Sequence, residues 1–185
     1  MSAELDLMHV SELLRSLGRA STPPVNESRF GLDLHSLLQD PNKSGVSDAL
    51  AVAAPATLAL LREPLDVEAA IPGAAALQAR RTQATVLIID EEAFDAGPWM
   101  GADSGVGRQL ADEIFEAGRI FRETGRSVLA LASPRRSQGP NWRLIDATTT
   151  QWMNQIPDTD LEEHAVQGRV WAELSRITAM REGME

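Results

Sequence analysis

The chain has 185 residues, of which 43% are hydrophobic and 24% charged; these are ordinary globular values, and the length fits one domain with long terminal additions. It has no cysteine, which excludes disulfides, thiolate metal sites and cysteine nucleophiles. A net charge of −10 with Lys43 as the one lysine argues against binding nucleic acid through phosphate neutralisation, and no apolar run approaches the ~18 residues of a membrane span.

The N-terminus, Met1–Leu7, lacks the basic-then-apolar order of a signal peptide, so the expected location is the cytoplasm. Residues 5–17 read as an amphipathic helix, with Leu7, Val10, Leu14 and Leu17 on one stripe and Gly18 as its stop. Prolines, asparagines and Gly45 between Ser21 and Ser47 mark irregular chain. From residue 48 the pattern alternates between strand and helix. Ala49–Ala54 reads as a strand closed by Pro55, although an alanine-rich run suits a helix equally well. Ala56–Arg62 reads as a helix, Leu65–Ile71 as a second strand, Ala74–Arg81 as a second helix, and Thr85–Ile89 as a third strand.

Gly105–Thr124 is a long helix with Val106, Leu110, Ile114, Ala117 and Phe121 on one stripe. Asp103 or Ser104 can cap its start, and Gly125 suits the position just past its end. Ser127–Ala132 and Arg143–Thr148 complete the set as fourth and fifth strands. A final helix starts at a capping box, Thr159 to Glu162, and runs through Trp171, Leu174, Ile177 and Met180, with Gly168 inside it. Such alternation predicts a parallel sheet with right-handed crossovers.

Three carboxylates, Asp90, Glu91 and Glu92, end the third strand. In open α/β sheets the carboxyl ends of strands are where ligands sit. A carboxylate there accepts hydrogen bonds from sugar hydroxyls or holds a hard cation; alternatively it is a solvated strand end that caps the next turn. The loop that follows is long for a βα connection, and Trp99 within it either stacks on a sugar or pins the loop. Its glycines form no phosphate-binding motif. Arg135 and Arg136 follow the fourth strand and form a fork for phosphate or carboxylate, or else pair with Asp90–Glu92. His9, His35 and His164 are scattered without zinc spacing, and no Gly-x-Ser-x-Gly elbow surrounds a serine.

The stretches Pro64–Pro72, Ala84–Trp99, Glu123–Ala132 and Leu144–Thr150 resemble the N-terminal Rossmann-like half of bacterial two-domain (GT-B type) glycosyltransferases. In that family the third strand also ends in an acidic residue, a Gly-rich loop with tryptophan follows, and a later strand ends in threonines. The resemblance covers residues 50–150 and implies that Asp90, Glu91 and Trp99 face an interdomain cleft. The family binds sugar nucleotide mainly in a second domain, for which this chain has no room. The resemblance therefore implies an isolated half or a descendant without catalysis. A weaker resemblance is to response-regulator receiver domains, with Asp90 at the phosphoacceptor position and Ser133 after the fourth strand. There Ala53-Ala54-Pro55 replaces the acidic pair and Asp146-Ala-Thr replaces the lysine, so phosphotransfer is not expected.

The expected fold is α/β, a five-stranded parallel sheet of Rossmann or flavodoxin type over residues 48–152, with an N-terminal arm (1–47) and a C-terminal helix (153–185). The expected function is a non-catalytic interaction or assembly module. It would self-associate as a homo-oligomer, or dock to a protein partner, through Leu7, Val10, Leu14, Leu17, Trp171, Leu174 and Ile177. The alternative is a glycosyltransferase-like domain that binds a sugar, glycan acceptor or sugar nucleotide at Asp90, Glu91, Trp99, Arg135 and Arg136. No catalytic residue, metal or cofactor is assigned.

Overall fold

A computed structural model of the chain describes residues 47–133, 138–155 and 168–183. The elements expected before residue 47, the capping box at Thr159, His164 and the pair Arg135–Arg136 lie outside those residues. Five parallel strands form one sheet: β1 (Ala49–Val52), β2 (Val67–Ala69), β3 (Val86–Asp90), β4 (Ser127–Leu131) and β5 (Gln151–Trp152). Their order is β2-β1-β3-β4-β5, the flavodoxin-like doubly wound arrangement whose switch point lies between β1 and β3.

The strands read as unbroken apolar runs because the sheet is covered on both sides. Leu50, Val52, Leu87, Ile89, Val128 and Ala130 point to one face. There they meet α2 (Ala75–Arg81) and α3 (Arg108–Glu123), chiefly through Ala111, Ile114, Ala117 and Phe121. Ala49, Ala51, Ile88, Leu129 and Leu131 point the other way. They are covered by Leu61 of α1 (Pro55–Arg62) and by Leu174 and Ile177 of the last helix, α5 (Arg169–Glu182). Leu174 and Ile177 are thus consumed within their own domain, while Val170 and Trp171 stay half-buried.

Five local expectations need correction. Arg143–Thr148 is not a strand: Trp142–Asp146 is a short helix, α4, and the fifth strand is the two-residue β5 after it. Trp142, Ile145 and Thr148 are buried at a spacing of three, which is helical rather than alternating. The second strand is shorter than expected, Val67–Ala69. The long helix starts as a 3₁₀ turn at Gly105–Gly107 and becomes α-helical at Arg108, because Gly107 lies against the Gly101 carbonyl, where a Cβ would stand 1.8 Å from the oxygen. Ser104 makes no side-chain cap; its hydroxyl donates to the Gly101 carbonyl at 2.6 Å, and Asp103 accepts instead from the Gly139 amide at 3.0 Å. Gly168 is not inside a helix but stands, fully extended, just before α5.

The end of α3 matches the expectation at Gly125. With φ of +73°, it lets its amide reach the Arg122 carbonyl at 3.0 Å and the Arg126 amide reach Phe121 at 2.9 Å, a Schellman turn. Arg126 then stacks on Phe121, 3.9 Å from the ring centre, and donates to the carbonyls of Ala79, Thr82 and Ala84. One guanidinium thereby closes the C-terminal end of α2.

Candidate functional site

At the carboxyl end of β3, Asp90 is fully buried. Its Oδ2 accepts from the Ala54 amide at 3.3 Å, across the switch point, and its Oδ1 accepts from the Glu92 amide at 3.1 Å. It therefore caps the turn Glu91–Phe94. Its counter-ion is Arg181 of α5, whose Nη2 lies 3.0 Å from Oδ1. The same nitrogen reaches Thr57 Oγ1 at 3.0 Å and Glu92 Oε2 at 3.1 Å, while Nη1 donates to the Ala132 carbonyl at 3.2 Å. Arg181 follows Leu174 and Ile177 on one helix face, so packing of those two residues delivers the guanidinium into the crevice.

The next carboxylate, Glu91, is buried and accepts from the Ser133 amide at 2.5 Å, tying β3 to the end of β4. Beside it a cavity of about 360 Å³ opens at the ends of β3, β4 and β5. Ser133, Gln138, Asn154, Gln155 and Asp146 supply its polar lining, and Trp142 and Trp152, themselves 8% and 9% exposed, border it on the aromatic side. The two indoles are 4.9 Å apart at 44°, and Phe94 meets Trp142 edge-on at 6.5 Å. Trp152 Nε1 donates to Asp146 Oδ1 at 2.7 Å, which fixes both the ring and the carboxylate.

The structure brings Asp90 and Glu91 to the same edge but gives them different surroundings. Trp99 is 1% exposed and its Nε1 donates to the Ala70 carbonyl at 3.1 Å; it pins its loop to the end of β2 and offers no ring face to a ligand. Leu174 and Ile177 are buried against the sheet and Trp171 is half-buried. Leu7, Val10, Leu14 and Leu17 lie outside the described residues. Sequence reading missed Arg181, Thr57 and the Trp142–Trp152 pair. The available signal for Arg181 was a cation standing on the apolar stripe of its helix.

A larger opening of about 590 Å³ lies at the opposite, amino-terminal edge, lined by Val86, Leu129, Val170 and Trp171 among others. The smaller cavity is the better candidate site, because it combines polar groups with aromatic rings at the edge where this topology binds ligands. The Arg119 side chain, hydrogen-bonded to Glu116, holds that carboxyl below its ordinary value, and Glu116 in turn raises Arg119. Burial lowers Arg126. All three belong to α3 or its end.

Among the described residues no group of His, Asp and Glu side chains is placed to hold a metal ion, and no helix is long and apolar enough to cross a membrane. The geometry defines an α/β domain with a polar, aromatic-walled cavity at its carboxyl edge. No protein-family model, curated protein or solved structure matches the chain.

Proposed function

We propose that the domain is a binding module for a hydroxyl-rich small molecule of the sugar class, held in the cavity at the ends of β3, β4 and β5. The observation that carries this reading is the lining itself: Trp142 and Trp152 beside Asp146, Asn154, Gln155, Ser133 and Gln138. A sugar presents an apolar C–H face and a rim of hydroxyls. Indole rings match the first, and amide and carboxylate oxygens match the second. Asp146 Oδ2 carries no hydrogen bond among the described residues, since the Trp152 indole takes only Oδ1. The reading assigns binding, and no bond-making step, to this domain.

The test is a thermal-shift panel of monosaccharides, disaccharides and nucleoside-diphosphate sugars, read in parallel by tryptophan fluorescence. A sugar at 100 times its dissociation constant adds about 2.7 kcal/mol, which in a chain of this size raises Tm by roughly 5–11 °C. A flat response from every sugar, with unchanged emission, overturns the proposal.

A second reading, self-association, is favoured by the apolar opening at the amino-terminal edge, where Trp171, Val170, Val86 and Leu129 gather. The occupant would be a second copy of the chain. Sedimentation of the full chain across a hundredfold range of concentration tests it, and a monomer throughout removes it.

A further inference from the structure

The switch-point crevice between β1 and β3 is the expected ligand position of this topology, and a side chain of the protein itself stands in it. The Arg181 guanidinium meets oxygens from four separate segments: Thr57 on α1, Asp90 at the end of β3, Glu92 in the following turn, and the Ala132 carbonyl after β4. Asp90 and Thr57 are 0% and 2% exposed, so two of these acceptors are sequestered from water by the contact. Nη2 gathers the oxygens of Asp90, Glu92 and Thr57, and Nη1 adds the Ala132 carbonyl, a contact that a single ammonium centre at the Nη2 position would lack.

The last turn of α5 buries that side chain in the crevice. Thr178 and Arg181 are its buried residues, while Met180 is 46% exposed. Ile177 and Leu174, one and two turns earlier, anchor the rest of the helix on the sheet. The arrangement therefore separates into a firmly seated helix and a terminal turn that inserts one charged group.

We propose that the crevice is a guanidinium-binding site kept closed by Arg181, an autoinhibitory contact, and that withdrawal of the last turn of α5 opens it to a guanidinium-bearing small molecule. The site adjoins the sugar cavity, which Ala132 also lines, but is built on a different set of side chains, Thr57, Asp90 and Glu92. Withdrawal leaves Asp90 with the amides of Ala54 and Glu92 and without a counter-ion, a state that a ligand cation relieves.

The test is restoration of the missing group from solution. Arg181→Ala is titrated with methylguanidinium, and with methylammonium at matched ionic strength, while Tm is followed. The proposal expects a saturable rise of at least about 3 °C in the variant with methylguanidinium alone, and none in the parent. A rise in neither protein, an equal rise in both, or an equal rise with methylammonium overturns it. Should Arg181→Ala fail to fold, hydrogen exchange on the parent decides. Methylguanidinium is then expected to accelerate the amides of residues 178–182 at least threefold while those of β3 stay unchanged. No acceleration, or acceleration throughout the domain, overturns the proposal.

Discussion

Replacing Trp99 by phenylalanine separates a structural tryptophan from a ligand-stacking one. In the parent the indole is 1% exposed and donates to the Ala70 carbonyl, which lies on a residue 5% exposed. A phenyl ring removes the donor and leaves that carbonyl buried without it, a loss of about 1–3 kcal/mol. The missing pyrrole portion leaves a void that adds about 1 kcal/mol. Together these come to about 2–4 kcal/mol, or a Tm lowered by roughly 5–15 °C in a chain of this length. Urea denaturation followed by circular dichroism reads the change as a lower midpoint with an unchanged slope. A ligand-stacking role gives the reverse pattern, with stability held and sugar affinity lost. A midpoint within about 0.5 kcal/mol of the parent would refute the assignment of Trp99 as the pin of its loop.

Gly118→Ala is expected to destabilise by about 1–3 kcal/mol, because the added Cβ would stand 2.5 Å from Cβ and Oγ1 of Thr148; a Tm equal to or above the parent's would show that α3 and the turn after α4 give way there. For Glu116, the hydrogen bond from Arg119, with Arg80 behind it, depresses the folded-state pKa below the ordinary 4.5. Its contribution is therefore present above that value and lost as pH falls through the folded one. The stability gap between parent and Glu116→Gln should be constant near neutrality and close as pH is lowered below 4.5, and a gap that widens in acid would contradict the assignment. Asp146→Asn keeps an oxygen for the Trp152 indole but removes the charge, so sugar affinity should fall about tenfold with Tm near the parent's. Fluorescence titration measures this, and unchanged affinity would take Asp146 out of the site.

Strands β3 and β4 were legible because each is a short apolar run buried on both faces and bounded by glycine, proline or charge; the alanine-rich β1 suited a helix equally well. The end of α3 was equally legible, since Gly125 occupies the one position where a positive φ is needed. The fifth strand was not. Two residues, Gln151 and Trp152, are too few to show any period, and the apolar Leu144–Ile145 step drew the assignment into what is a helix. The candidate site was half visible. Asp90 and Glu91 announce a strand end in the local sequence. Arg181 lies 91 positions from Asp90, so no local pattern joins them, and the Trp142–Trp152 pair meets only after α4 and the following turn fold back. Trp99 carries the general lesson that a loop tryptophan reads the same in sequence whether its ring is offered or enclosed.

The margins of the sheet are its shortest parts: three residues in β2 and two in β5, against five in each of β3 and β4. An outer strand exposes unpaired amides and carbonyls that invite a further strand from another polypeptide. Here that invitation is a few groups long on either side, and at β5 it sits beside a buried tryptophan. Among the described residues, a sheet built this way leaves little open edge for strand-by-strand extension.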